Sequence, residues 1–283
     1  MALVLNTNIM SLNSQNALNR TQNTMQTSMQ RLSTGLRVNS AADDAAGYAV
    51  STRMSTQLNG MDQGIRNTND AISLLQTASG GLNQIISNLQ QLSSLAVEAG
   101  NPTMSSSDRT NLDAVSKQLL AENSRIAQTT NFNGVALFGT GSALASGALA
   151  ASSIFRIGTQ SGDTISISAL STLVSALKGA FSSSISMATA SGISATITAL
   201  NTALSGLTTN AAKVGAIQNR FQAVVENLQT NKTNLTAARS QIVDVDYAAE
   251  TANLTKSQIM QQAGVAMVAQ ANQIPQSILK LLP

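Results

Sequence analysis

The chain has no cysteine and no histidine, and these two absences remove most of the chemistry a protein can do. Without cysteine there is no disulfide, no thiolate metal site and no thiol nucleophile. Without histidine the zinc-peptidase motifs, the usual proton shuttle and the Ser-His-Asp arrangement are out of reach. Tryptophan is missing too, and aromatics make up 2% of the residues, so a conventional globular core would lack its largest fillers. Charge is sparse: 16 Lys and Arg stand against 13 Asp and Glu, for a net charge of +3. The cations are spread out instead of clustered, which speaks against nucleic acid as a partner, because a phosphate-reading surface concentrates them. Asp43 and Asp44 are the only adjacent acids, and neighbours on a helix point apart. No loop carries the EF-hand spacing. Neither metal nor cofactor is expected, and the chain does not read as an enzyme.

Long apolar runs are lacking as well. In MALVLNTNIMSLNSQNALNR the first positive charge is Arg20 and the apolar run stops at Leu5, which is not the pattern of a cleaved secretory signal. No stretch has the length of a membrane span, so membrane insertion is not expected. The expectation is a chain that is cytosolic or that leaves by a route using no cleaved signal.

What is present is Ala, Leu, Ile, Val and Met in ladders of alternating four and three. The first runs Met54, Leu58, Met61, Ile65, Thr68, Ile72, Leu75, Ser79, Leu82, Ile86, Leu89, Ser93, Ala96, a rod of about 64 Å if helical. Gly100, Asn101 and Pro102 break it. Ser107 or Asp108 is placed to cap a second helix with the seam Leu112, Val115, Leu119 and Ile126, and NFNG at 131–134 ends it. Residues 137–153 are small and loop-like. In FRIGTQSGDTISIS, 155–168, Ile165 and Ile167 alternate after a Gly-Asp turn, which predicts a β-hairpin. A Ser- and Ala-rich stretch follows to about residue 191. The next ladder runs Ile193, Ile197, Leu200, Leu204, Leu207, Ala211, Val214, Gln218, Phe221, Val225, Leu228, Lys232, Leu235, Arg239, Ile242, long enough for about 75 Å. The expected rod core is Leu58, Ile65, Ile72, Leu75, Leu82, Ile86 and Leu89 packed on Leu200, Leu204, Leu207, Phe221, Leu228 and Leu235.

The two ends carry thinner stripes. The first 40 residues hold 21 Asn, Gln, Ser or Thr and only three charges, Arg20, Arg31 and Arg37. Leu18, Met25, Met29, Leu32 and Leu36 nevertheless share one seam. At the other end Met260, Gly264, Met267, Ala271, Ile274, Ile278 and Leu281 do the same. Amides and hydroxyls are mediocre helix formers, so each stripe is marginal alone. Two rods joined by a compact insert fold back most simply as an antiparallel pair, which brings the ends together. Each end then covers the other's seam, and leftover stripe is free to meet other copies. Such contacts, if they do not close a ring, give an open helical polymer.

The fold expected is therefore mainly α: long antiparallel, coiled-coil-like helical rods, paired terminal helices and a small β-hairpin insert. The domains expected are 1–42 with 244–283 (terminal helices), 43–136 with 192–243 (rods), and 137–191 (hairpin and Ser/Ala-rich variable insert).

RLSTGLRVNSAADDAAGYAVSTRM, 31–54, resembles the N-terminal block of bacterial flagellins. GAIQNRF at 215–221, NLTAARSQIVDVDYAAETANLTKSQI at 234–259 and QQAGVAMVAQANQIPQSIL at 261–279 resemble the C-terminal block of the same family. The resemblance covers roughly 1–135 and 205–283. It implies a structural subunit that self-assembles into the helical flagellar filament for motility, secreted and extracellular. The terminal pair would line the filament core. With only about 50 residues at 140–190, where larger family members insert outer domains, the filament would be thin and smooth. It also implies export of the unfolded chain through the flagellar type III apparatus. An export chaperone would hold the C-terminal stripe, and the filament cap and hook-junction proteins would be further partners.

Some flagellins touch an innate immune receptor of the Toll-like class through a Gln-Arg pair, a Leu and a Glu. The aligned residues here are Gln90, Gln91, Leu95 and Val115, so the Arg and the Glu are replaced. Loss of charge-assisted hydrogen bonds worth about 1.5–3 kcal/mol each implies weak activation. Two alternatives remain within the family's reach: a hook–filament junction protein, and a surface flagellin-like protein that binds polysaccharide. The latter wants aromatic platforms, for which Tyr48, Tyr247 and five Phe are few and scattered. The Asn-x-Thr triplets at Asn19, Asn231, Asn234 and Asn253 all fall on expected helices. Lys280 departs from the family pattern at the chain's end.

Overall fold

The structure, a computed structural model, describes residues 7–138, 153–160, 162–167 and 186–279. In chain order the elements are α1 (Ile9–Thr34), α2 (Ala45–Ala99), α3 (Ser106–Thr129), β1 (Asn131–Phe132), β2 (Val135–Ala136), β3 (Ser153–Arg156), β4 (Thr164–Ile167), α4 (Ala190–Val243) and α5 (Tyr247–Leu279). The described residues are mainly helical, as the periodicity predicts, and hold the expected hairpin, β3–β4, together with a shorter one that the sequence did not announce, β1–β2. Among the described residues no helix is long and apolar enough to cross a membrane.

Helix α2 is 55 residues long and starts well before the ladder that announces it. Asp44 begins it, its Oδ1 accepting the Gly47 N–H at 2.9 Å, and AAGYAVSTR continues through residues with no apolar stripe. At its far end Arg109 of α3 donates Nε to the Ala99 carbonyl (3.1 Å) and Nη2 to the Asn101 carbonyl (3.2 Å). A cation there answers both the orphan carbonyls and the negative end of the helix dipole. The cap of α3 corrects the expectation of Ser107 or Asp108: it is Ser105. Its Oγ accepts the Asp108 N–H at 3.2 Å, and Asp108 Oδ2 accepts the Ser105 N–H at 3.2 Å, a reciprocal capping box. Three consecutive serines hid the position. NFNG does more than stop α3. Asn133 (φ 50°) and Gly134 (φ 78°) are both left-handed, the conformation of a two-residue hairpin turn, and they close the β1–β2 pair.

The chain divides into two compact units, residues 1–58 with 233–283 and residues 59–232. The second unit has a continuous apolar core. Leu75, Leu82 and Leu89 of α2, Leu200, Leu207 and Phe221 of α4, and Ile165 and Ile167 of β4 are all buried in it. Ile72 and Ile86 pack against it partly buried, and Ile65, Leu204, Leu228, Leu58 and Leu235 are half-buried in their helices. Leu74, Ile85 and Leu92 are buried although they lie off the sequence ladder. The reason is that α2 has two partners here, joined to α3 through Asn88 Nδ2 and Asn123 Oδ1 (2.7 Å) and to α4 through Ser79 and Gln218 (3.2 Å). One heptad seam describes one partner only.

The β3–β4 hairpin pairs Ser153 with Ile167 and Phe155 with Ile165. It begins two residues before the expected segment and turns ahead of Asp163. Phe155 meets Phe221 edge-on at 6.0 Å and 78°, the favoured arrangement for two rings. Asn67 Nδ2 donates to the Arg156 carbonyl at 2.9 Å, where the hairpin lies along α2. A Cβ at Gly64 would run into the Ile157 carbonyl, so the bare helix surface admits the backbone.

Met187 ties down the segment ahead of α4. Its side chain is fully buried, its Sδ is 2.9 Å from Ser116 Oγ, and its N–H donates to Asp113 Oδ1 at 2.9 Å. Lys117 closes on the same carboxylate at 2.7 Å. Those donors, Lys117 first and the Met187 N–H second, hold the Asp113 carboxyl below its ordinary 3.8 against the opposing effect of burial.

Two outcomes are expected from the free subunit in chemical denaturation. Phe221→Ala costs the 59–232 unit about 3–5 kcal/mol, whereas Leu18→Ala leaves that unit's transition unmoved. The contribution of Asp113 is complete above pH 3.8 and is lost as pH falls through its lower folded value. Asp113→Asn therefore destabilises at neutral pH, and its deficit against the native chain narrows on acidification well below 3.8.

Candidate assembly surface

The first unit holds α1, α5, the linkers beside them, the start of α2 up to Leu58 and the end of α4 from Thr233. Asn8 caps α1, accepting the Ser11 N–H at 3.1 Å, and its own Nδ2 donates to the Ala271 carbonyl at 2.7 Å. Ser11 Oγ donates to Asn272 Oδ1 at 2.8 Å. Further along, a Cβ at Gly264 would sit 3.2 Å from Leu18, and one at Gly35 would sit 2.9 Å from the Tyr247 hydroxyl. Arg31 Nη1 stands 3.8 Å from Glu250 Oε2. As numbers rise along α1 they fall along α5, so the pair is antiparallel.

The linkers hold the other end. Gly35 ends α1 in the left-handed conformation at φ 71°, which only glycine adopts freely. Leu36 then bridges Asp244. Arg37 and Val38 donate their N–H groups to the Val243 carbonyl at 2.6 and 3.4 Å, and Val245 donates back to Gly35 at 3.0 Å. The Arg37 guanidinium donates to the Ile242 carbonyl. Asp43 Oδ2 gathers the Ser40 N–H (2.9 Å), the Ser40 hydroxyl (3.0 Å) and the Asn39 N–H (3.2 Å). The Ser40 N–H and hydroxyl are the main reason its carboxyl lies below the usual range. Asp246 Oδ1 starts α5 by accepting the Ala248 N–H at 2.9 Å.

The α5 residues that turn toward α1 are Glu250, Leu254, Ser257, Gln261, Gly264, Val268 and Ala271, each buried or half-buried. This corrects the geometry of the sequence stripe. Gly264 and Ala271 lie on the pairing face, while Met260 and Met267, each one residue ahead of a seam position, are exposed. On α1, Leu18, Met25 and Leu32 are half-buried, as is Leu36 just beyond it, and Met29 is exposed. Ile274 and Ile278 belong to α5, but their side chains, like all of Leu281 and Lys280, lie outside the described residues.

Burial in this unit is inverted. Among its described residues the buried ones are Ser11, Ser28, Ser51, Glu250 and Ser257 against only Val38, Val243 and Ala271. Among the described residues, ten of the thirteen exposed large apolar side chains belong to it: Ile9, Met10, Leu12, Met29, Tyr48, Tyr247, Ile259, Met260, Val265 and Met267. The other three are Val97, Val115 and Ile154. Exposed large apolar side chains concentrated beside a polar centre are the mark of an interface. Even the ion pair is loose, since Arg31 Nε is buried with no hydrogen-bond partner.

Elsewhere, Gln90 and Gln91 are exposed on α2, Leu95 packs partly against the apolar core and Val115 is exposed on α3. The four Asn-x-Thr triplets lie on α1, α4 and α5. No cluster of three His, Cys, Asp or Glu side chains occurs among the described residues.

The bacterial flagellin N-terminal helical region matches residues 5–143, and the bacterial flagellin C-terminal helical region matches 197–282. A flagellin of Halalkalibacterium halodurans is 36% identical over 280 residues, spanning 99% of this chain and all of that one. A flagellin of Bacillus subtilis is 35% identical over 302 residues, 98% of this chain and 99% of its own. The flagellar filament 33 kDa core protein of Treponema phagedenis is 35% identical over 286 residues, 99% and 100% of the two chains. The crystal structure of Bacillus cereus flagellin aligns with a TM-score of 0.50 at 32% identity, over 62% of this chain and 94% of that one. A putative flagellar hook-associated protein from Vibrio parahaemolyticus aligns with a TM-score of 0.56 over 71% of this chain and all of that one, at 12% identity, a likeness of fold alone.

The contact between Gly264 and Leu18 gives a graded test. Gly264→Ala adds about 1 kcal/mol of helix preference, and its Cβ meets the far end of the Leu18 side chain at 3.2 Å, a shift of a few tenths of an ångström. Gly264→Leu forces the helices apart. Electron microscopy of nucleated subunit should show filaments for the alanine variant and none, or short ones, for the leucine variant.

Proposed function

The chain belongs to the bacterial flagellin family and is a structural subunit of the flagellar filament; from that premise we propose that its two ends are the joint between copies. The observation that carries this is the inverted burial, serines inside and methionines outside on the same helix pair. Each exposed Met, Ile or Val keeps only part of its surface in water, so cover by a neighbour gains it about half of the ~1.5–3 kcal/mol of full burial. In a free subunit that gain is absent, and the ordering entropy of two polar helices has little to oppose it. Folding of the ends is then coupled to polymerisation, which keeps a newly made subunit from assembling too early.

The polymerisation seams are Leu18, Met25, Met29, Leu32 and Leu36 with Met260, Met267, Ala271, Ile274, Ile278 and Leu281. The terminal domain is 1–42 with 244–283, the rods are 43–136 with 192–243, and 137–191 is the variable insert. Weakly ordered, cysteine-free ends suit export as an unfolded chain through the flagellar type III apparatus to the outside of the cell. The exposed C-terminal stripe suits an export chaperone before assembly and the filament cap and hook-junction proteins during it. The role is structural rather than catalytic.

A chain lacking 245–283 should neither polymerise after nucleation nor retain the export chaperone; polymerisation equal to that of the full chain contradicts the assignment. Innate-receptor contact through Gln90, Gln91 and Leu95 should be weak, because amides replace a fork-shaped cation and Leu95 is partly engaged in the core. Full potency of the depolymerised subunit in a reporter-cell assay would refute that reading.

A further inference from the structure

With no cysteine in the chain, its ten methionines hold all of its sulfur, and they are unevenly placed. Met187 in the 59–232 unit is fully buried, and Met25, Met54, Met61 and Met104 are half-buried. Among the described residues four are exposed: Met10 at 58%, Met29 at 47%, Met260 at 42% and Met267 at 59%. All four lie on α1 and α5, the pair assigned above to polymerisation. Met260 and Met267 stand one heptad apart, immediately before the seam residues Gln261 and Val268.

We propose that Met10, Met29, Met260 and Met267 are a modification site for two-electron oxidants, and that their oxidation in the free subunit reversibly blocks assembly. This rests on the assembly reading given above. The chemistry is an oxygen transfer: the Sδ lone pair attacks one oxygen of hydrogen peroxide, the O–O bond breaks and the other oxygen leaves as water. Sulfur is oxidised, peroxide is reduced, and no chain bond is cut. The product is a polar, chiral sulfoxide, restored to thioether by the two methionine sulfoxide reductases.

Location decides the consequence. At these positions the sulfoxide stays hydrated in the free subunit, and the 59–232 unit keeps its fold. The penalty falls when a neighbouring copy would cover it, since a buried polar group without a partner is costly. Met187 and the apolar core are shielded, so the oxidant discriminates between the joint and the rod. In a finished filament the same four side chains are covered, and the device acts on subunits that have not yet joined.

The experiment uses the full chain, first shown to polymerise while the chain lacking 245–283 does not, so that a failed assembly reading is recognised separately. Monomer is treated with hydrogen peroxide, mapped by peptide mass spectrometry and seeded. Expected are sulfoxides at Met10, Met29, Met260 and Met267 before Met187. A critical concentration raised roughly tenfold or more and its recovery after the two reductases are also expected. The Met260→Leu/Met267→Leu variant, a swap that conserves volume, is compared with its own untreated form, and the rise in its critical concentration on peroxide treatment should be a small part of the native chain's. Preformed filaments should protect the four residues. Unchanged polymerisation of subunit oxidised at all four positions overturns the proposal, as does equal inhibition of the leucine variant.

Discussion

The contact of α1 with α5 governs the terminal unit, and it is made largely of groups that gain little from being buried. Serines at 11, 28 and 257, an amide–carbonyl bond from Asn8 to Ala271 and a glycine opposite Leu18 hold the helices in register. Hydrogen bonds of this kind exchange partners with water at a net gain near 1 kcal/mol each, so they specify alignment more than they supply stability. The stabilising apolar surface faces outward, where only another molecule can use it. On the assembly reading proposed above, pairing within the subunit and joining between subunits are parts of one folding reaction.

The 59–232 unit obeys the opposite rule. Its leucine and isoleucine side chains are buried between α2, α3 and α4, the β3–β4 hairpin seals one side through Phe155 and Phe221, and Met187 pins the segment that leads into α4. It has what it needs to fold without neighbours. The linkers of the terminal unit are held locally: Asp43, Asp44 and Asp246 each close a turn or cap within it.

The long ladders were legible because a heptad repeat sustained over many turns admits one fold. Four features were not, for separate reasons. A single seam cannot announce a second partner, so Leu74, Ile85 and Leu92 were missed. Three successive serines conceal which one caps α3. The β1–β2 hairpin has two residues per strand, too short to show alternation. Most telling is α5: hydrophobicity draws the eye to Met260 and Met267, while the residues that face α1 include Glu250, Ser257 and Gln261. Where a protein places polar groups inside and apolar groups outside, a reading by hydrophobicity finds the surface that binds others and overlooks the one that binds itself.

Hydrogen exchange of the dilute subunit beside the assembled filament tests this account most directly. Amides of α1 and α5 should exchange quickly in the free subunit while those of α2 and α4 within 59–232 are protected, and both sets should be protected in the filament. Equal, deep protection of α1 and α5 in the isolated molecule would contradict it.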